Sequence, residues 1–233
     1  MVINILHSIG DILFCEPIYR HYWEKEGVKP TVVIRDHLLY LQDYIESASF
    51  IGASKWNGNI DDMEMRPGYL PLRFANQIMR GLGPHEHHDF ENTMPDKYVL
   101  AGLPVEMWKD MQFMFYPERS GALFSHLGIH GKSKYILVNE RSQAGNIDLS
   151  GIENKEGWQV IKMHDVPGIN VMDWAMVMLL AHENHHVSTS TFYVMQALKG
   201  YKKKFYVYAR PNEDGLKGIS KLEPDFDLVR VIS

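Results

Sequence analysis

Val2 to Glu26 reads VINILHSIGDILFCEPIYRHYWEKE, and the fold turns on how this stretch is read. Ile3 to Leu6 is a short apolar run with β-branched residues, as expected of a buried parallel strand. Ser8-Ile9-Gly10-Asp11 follows as a glycine-bearing turn with an acid at its exit. Ile12, Cys15, Tyr19 and Tyr22 then recur at helical spacing, and Leu13, Phe14, Ile18 and Trp23 widen the apolar face. Pro17 either marks the first turn of a helix that starts near Glu16 or kinks a longer one. Gly27 ends the helix, and Thr31 to Ile34 supplies a second strand. Strand, helix and strand make a βαβ unit, whose crossover is right-handed.

Further along, Asp36 to Ile45 reads as a helix, residues 46 to 70 as a loop-rich excursion, and Leu72 to Leu82 as a helix ended by Gly83-Pro84. Residues 85 to 117 carry weaker signals, with a strand expected over Phe113 to Tyr116. Ser120 to Leu127 reads as a helix. The turn Gly128 to Ser133 divides the chain into domains 1–130 and 131–233, after which the alternation restarts. Strands are expected at Tyr135–Asn139, Trp158–Met163, His185–Val187 and Phe205–Tyr208, with an edge strand at Phe226–Ile232. Helices are expected from Asn170 to about Glu183 and from Ser190 to Lys199, and Asn170 with Asp173 has the spacing of a capping box. Two α/β halves imply a cleft. Ligands of open α/β sheets bind beyond the carboxyl ends of the strands, so loops 7–11, 140–146, 164–168 and 188–191 are the candidate site loops.

Bulk composition narrows the function classes. The 233 residues are 45% apolar and 23% charged, with a formal net charge of -5, so bulk charge does not draw the chain to nucleic acid or anionic membrane. The one cysteine, Cys15, excludes an intrachain disulfide and suits a reducing compartment. The N-terminus lacks a basic segment followed by a cleavage site. The longest clean apolar run, Trp174 to Ala181, falls far short of the ~20 residues that span a bilayer. A soluble, cytoplasmic protein is the expectation.

Three constellations can carry chemistry. Gly10 lets the backbone approach a ligand, and Asp11 beside it can cap the helix or act as a general base on a hydroxyl. Ser188, Thr189, Ser190 and Thr191 precede a helix, where hydroxyls either cap it or help hold a phosphate. Arg141, with Ser142 at the end of a strand, can clamp a diphosphate or sit solvated in its loop. His164 opens another strand-end loop and joins the candidate ligand-binding residues. A rival pattern is His182-Glu183-Asn184-His185-His186. On a helix, His182 and His186 would lie one turn apart as zinc ligands with Glu183 as base, a metallohydrolase arrangement. His85, His87 and His88 read as a polar loop, and Lys202-Lys203-Lys204 as a solvated turn able to touch a phosphate backbone.

The three constellations, in this order, resemble the heptosyltransferase-type glycosyltransferases, which move ADP-heptose onto lipopolysaccharide core. Ser8-Ile9-Gly10-Asp11, with Pro17 six residues after the acid, matches the family's opening Ser-x-Gly-Asp motif. Ser188-Thr189-Ser190 stands where the family has Asp-Thr-Gly, Tyr193 stands at a histidine position, and Gln196-Ala197-Leu198 closes the helix. The resemblance covers about the first 35 residues and 135–210. It implies a GT-B fold: two Rossmann-like parallel-sheet domains facing across a cleft, the first on the acceptor side and the second binding a nucleotide-sugar donor. It further implies inverting transfer that needs no metal or cofactor, with Asp11 as the acceptor base. Gly10, Arg141, Ser142, His164, Ser188, Thr189, Ser190 and Thr191 are then the donor-binding candidates. The acceptor is left open among a glycan, a lipid-linked sugar and a hydroxymethylated DNA base. A non-catalytic nucleotide-binding module is a further alternative.

Overall fold

The computed structural model describes residues 1–83, 92–130, 133–152, 157–211, 216 and 219–231. His85, His87 and His88 lie outside them. The chain divides into two compact units, Met1–Met114 and Phe115–Ser233.

The first unit contains β1 (Val2–Asn4), α1 (Ile9–Phe14), α2 (Glu16–Glu26), β2 (Thr31–Ile34), β3 (Ser49–Gly52), β4 (Tyr69–Leu70), α3 (Ala75–Arg80) and α4 (Pro95–Leu100). Its strands form one parallel sheet in the order β3-β2-β1-β4. Ile3 and Ile5 are fully buried, as an apolar run beneath helices requires. The break at Pro17 is now located. The first helix stops at Phe14, and the second starts at Glu16 with Pro17 in its first turn, where its missing N–H costs nothing. The N–H groups of Ile18 and Tyr19 both turn to the Cys15 carbonyl, and the Phe14 carbonyl accepts the buried Tyr98 hydroxyl at 2.8 Å. Phe14 also meets the Tyr98 ring edge-on at 5.1 Å, so this joint ties the first helices to α4. Gly27 ends α2 in the left-handed region at φ 71°, its N–H on the Trp23 carbonyl.

Several expectations for this unit are corrected. Asp36–Asp43 is a 3₁₀ helix. The loop-rich stretch 46–70 contributes two short sheet strands, β3 and β4, too brief for a periodicity to show. The helix expected over 72–82 is a 3₁₀ turn, Leu72–Phe74, followed by α3, which ends at Gly81 (φ 66°). Residues 113–116 form no strand. The Met114 N–H instead bonds the Tyr44 carbonyl at 2.8 Å.

The second unit contains α5 (Pro117–His126), β5 (Tyr135–Asn139), β6 (Arg141–Ser142), β7 (Gly145–Asn146), β8 (Gln159–Lys162), α6 (Ala175–Leu180), β9 (Glu183–Val187), α7 (Thr191–Ala197), β10 (Phe205–Tyr208) and β11 (Leu228–Val231). Its parallel sheet runs β11-β10-β9-β5-β8, and β6 with β7 makes a small antiparallel ribbon within the expected polar loop. The unit begins ahead of the Gly128–Ser133 turn because α5 is tied into it. The Arg119 guanidinium grips both oxygens of the buried Asp173 carboxylate, at 2.7 and 2.8 Å. The Ser120 hydroxyl also donates to the Asp173 carbonyl at 3.0 Å. Asp173 does cap its helix: its Oδ2 accepts the Asn170 N–H, and Asn170 Oδ1 accepts that of Met172, both at 2.9 Å. That helix is a 3₁₀ turn, Val171–Trp174, leading into α6, and it stops at Leu180 because β9 already begins at Glu183. All five residues of β5 are buried. One face of the sheet packs Ile136 and Val138 against Leu149, Ile147, Trp158 and Val160. Phe205 meets Phe226 at 5.3 Å, and Phe226 meets Phe192 of α7 at 5.6 Å. Among the described residues, no helix is long and apolar enough to cross a membrane.

Candidate active site

In the first unit, the polar centre lies where β1 gives way to α1. Gly10 and Asp11 are not in a free glycine turn. They occupy the first turn of α1, and Ser8, not Asp11, is the N-cap. Asp11 is the third residue of the helix and reaches back. Its Oδ2 accepts the Ser8 hydroxyl at 2.6 Å and the Ser8 N–H at 3.2 Å, the acidic arm of a capping box. Its Oδ1 pairs with Lys97 Nζ of α4 at 2.9 Å. The pair is asymmetric, since the Lys97 side chain is 1% exposed and that of Asp11 is 13% exposed. Only the carboxylate can therefore be touched from outside.

The electrostatics follow from that packing. Burial pushes the Asp11 carboxyl up. The Lys97 ammonium, with help from His7 and the Ser8 hydroxyl, outweighs burial and holds the group well below the usual carboxylate range. His7 is pulled down from the ordinary histidine value, chiefly by burial and against the pull of the Asp11 charge. His7 Nε2 lies 3.1 Å from the Arg73 carbonyl, so neutral His7 carries its proton there. The bland and the chemical readings of Asp11 thus coexist. It caps a helix through Oδ2, pairs with Lys97 through Oδ1, and its side chain as a whole stays partly accessible.

In the second unit, the candidate residues gather at the carboxyl ends of β5, β8 and β9. Asn139 ends β5, and its Oδ1 accepts the Arg141 N–H at 3.3 Å, which orients its Nδ2 to donate to Thr189 Oγ1 at 3.2 Å. Thr189 Oγ1 lies 3.1 Å from Thr191 Oγ1, and Thr191 Oγ1 lies 2.9 Å from Nδ1 of the buried His186. Two of the four expected hydroxyls, Thr189 and Thr191, are therefore wired into the strand ends instead of standing free. Ser188 is buried, and its carbonyl accepts Arg210 Nε. Ser190 is the N-cap position of α7 and makes no side-chain capping bond. Arg141 is exposed and paired with Asp165 at 2.8 Å, and Ser142 donates to the Gly145 carbonyl at 2.7 Å. His164 donates from Nδ1 to the Lys162 carbonyl at 2.9 Å and lies beside Trp174. Arg141 and His164 thus stand at neighbouring strand-end loops, with Arg141 already holding one carboxylate that an anion would have to replace.

The zinc arrangement is overturned. His182 to His186 does not lie on a helix. Glu183–Val187 is β9, in which side chains alternate between faces, so the one-turn spacing of two ligands is not realised. His182 packs against Trp158 at 4.8 Å. Glu183 pairs with His185 at 3.2 Å, while His186 faces the opposite side, beside the Phe205 ring at 4.9 Å. Burial, with His185 next to it, pulls His186 down to about 3. Among the described residues, no group of three histidine, cysteine, aspartate or glutamate side chains could hold a metal ion.

Of the residues at these sites, Lys97 has no place in the sequence reading, Asn139 enters it only beside Arg141 at the end of its strand, and His186 only as a zinc ligand. Asn139 had a signal, as a polar residue closing an apolar strand. His186 had one too, since alternation in a strand puts it on the face of Asn184. Lys97 had none, because its partner is distant in sequence.

Two Rossmann-like units, each on a parallel sheet, define the class of α/β protein to which the chain belongs. Its fold is shared with solved glycosyltransferases. A family 9 glycosyl transferase from Veillonella parvula superposes with a TM-score of 0.54 at 9% identity, over 100% of this chain and 87% of that one. The iron-containing dodecameric glycosyltransferase TibC of enterotoxigenic E. coli gives 0.53 at 9% identity, over 89% of this chain and 57% of that one. The E. coli ADP-heptose LPS heptosyltransferase II gives 0.50 at 9% identity, over 100% and 90%. At such identities the likeness is one of fold, and the fold is the one that the Ser8–Asp11 resemblance implied. No protein-family model matches the chain, and no curated protein does.

Proposed function

We propose that the protein is a glycosyltransferase that moves a sugar from a nucleotide-sugar donor to the hydroxyl of a glycan or lipid-linked sugar, with inversion at the anomeric carbon. The observation that carries this reading is Asp11, an ionised and partly exposed carboxylate at the exit of β1, in a fold that solved glycosyltransferases share. The acceptor hydroxyl gives its proton to Asp11 while its oxygen attacks the anomeric carbon. The bond from that carbon to the diphosphate breaks, and its electron pair leaves with the phosphate oxygen. A carboxylate held this far below its ordinary range is a weak proton acceptor in the ground state. It suits a late proton transfer, in which the hydroxyl becomes acidic only as the new bond forms, and its charge favours the positive sugar in the transition state.

On the donor side, the strand ends of the second unit supply the groups that would meet the diphosphate. Arg141 would exchange Asp165 for phosphate oxygens. Ser190 and the backbone around Ser188 to Thr191 would add donors, with Ser142 and His164 completing the set. These groups can meet the leaving charge without a metal ion.

The test is a screen of nucleotide sugars against glycan and lipid-linked acceptors, with products read by mass spectrometry. Asp11→Asn is the informative variant, because it keeps the side-chain shape. Asp11→Ala would empty the space beside a buried ammonium and confound activity with folding. Asp11→Asn is expected to lose roughly 10²-fold or more in kcat while nucleotide-sugar binding, read by thermal shift, survives. Full turnover in this variant would remove Asp11 as the base. Binding without turnover in the unaltered protein would instead favour a nucleotide-binding module, and neither binding nor turnover would refute the reading.

A further inference from the structure

The ion pair beneath Asp11 specifies more than a charge. A carboxylate offers about four lone-pair sites. On Asp11, three have partners among the described residues: Lys97 on Oδ1, and the Ser8 N–H and hydroxyl on Oδ2. The fourth is on Oδ1. The Lys97 ammonium is itself fully committed. Besides Asp11 Oδ1 at 2.9 Å, it donates to the Thr93 carbonyl at 3.1 Å and lies 3.6 Å from Met94 Sδ, so its three protons have three acceptors. It is closed off from solvent, which makes it unfit to bind a substrate and well placed to hold a neighbour.

We propose that Lys97 is a positioning residue for the acceptor-side base: with Ser8 it locks the Asp11 carboxylate in one orientation, leaving a single lone pair, on Oδ1, to receive the acceptor hydroxyl. This rests on the glycosyltransferase reading above. The proton leaves the acceptor oxygen for Oδ1, the same oxygen that Lys97 holds, so the ammonium must remain bonded while that oxygen is protonated. A carboxyl in that state is disfavoured beside a cation, and it returns its proton to water as the product leaves. Among the described residues, the charged and titratable groups around Asp11 are His7 before it, Lys97 from α4, Arg73 beyond His7, Cys15 one turn on, and Tyr19 of α2. Of these, Lys97 is the one in direct ionic contact.

Lys97→Met keeps most of the stem and removes the charge. In the folded variant, confirmed by circular dichroism, kcat is expected to fall about tenfold or more while the donor KM stays within about twofold. The pH profile of kcat/KM should gain an acidic limb that the unaltered protein lacks, since burial then raises Asp11 without an opposing cation. A merely structural lysine would lower the amount of folded protein without adding that limb. Folded Lys97→Met with an unchanged kcat and a flat acidic side would overturn the proposal. If the variant does not fold, the carboxyl carbon of Asp11 is followed by NMR in ¹³C-aspartate-labelled unaltered protein. No titration above pH ~4 is expected, and an inflection between about pH 4 and 7 would overturn the proposal. Absence of turnover by the unaltered protein with every donor would instead strike the glycosyltransferase reading, which separates the two failures.

Discussion

Replacing His186 by phenylalanine tests the buried histidine of β9 directly. The unfolded chain takes up a proton at the ordinary histidine value of 6.5, and the folded chain only near about 3. Between those values the unfolded state binds one more proton, so stability rises with pH. The contribution is complete above 6.5 and is lost as pH falls toward 3. One proton is worth about 1.4 kcal/mol per pH unit, so from pH ~7 to ~4.5 this group alone removes about 2.5 kcal/mol. His186→Phe abolishes that loss. It also deletes the Thr191 bond, at about 1 kcal/mol, and sets an apolar ring beside Phe205, where burial offsets part of the cost. The variant should therefore be within about 1 kcal/mol of the unaltered protein at pH ~7 and more stable at pH ~4.5. Urea unfolding followed by hydrogen exchange on β9 and β10 peptides reads the second unit by itself. Titrations common to both proteins cancel in the difference. Parallel stability curves from pH ~7 to ~4.5 would refute the inference that His186 is held neutral by burial.

Tyr98→Phe removes the hydroxyl that the Phe14 carbonyl accepts at the break between α1 and α2, and is expected to cost about 1–2 kcal/mol, read by urea unfolding of the first unit. Asp173→Ala takes away a helix cap and both Arg119 contacts; a loss of about 2–3 kcal/mol is expected in the second unit, and a change under about 0.5 kcal/mol would show that α5 is anchored by something else. Untagged protein is expected to carry no zinc at the 182–186 segment by elemental analysis, and stoichiometric zinc that disappears in His186→Phe would contradict the strand geometry.

How much was legible depended on range. The opening βαβ unit could be read because each signal acts within a few residues: an apolar β-branched run, Pro17 in the first turn of a helix, Gly27 past its end. The Asn170–Asp173 capping box and the strands Tyr135–Asn139 and Phe205–Tyr208 were legible for the same reason. The strands at 49–52 and 69–70 were not, since segments this short pair only because the sheet edges beside them are already formed. His182 to His186 shows the limit of a motif. The same letters permit a helix with two ligands on one face or a strand with alternating faces, and pairing with β5 and β10 selects the strand.

The site divides along the same line. From sequence alone came the position of an acid at the exit of the first strand and of a hydroxyl run before a late helix, because both are set by local chain direction. The tertiary structure decided their chemical state. Lys97, brought in from α4, makes Asp11 an ionised and oriented carboxylate, and Asn139 with His186 turns Thr189 and Thr191 inward. Lys97 and Asp11, like Asn139 and Thr189, are far apart in sequence, so the strength of these contacts depends on burial and distance that only the folded chain supplies.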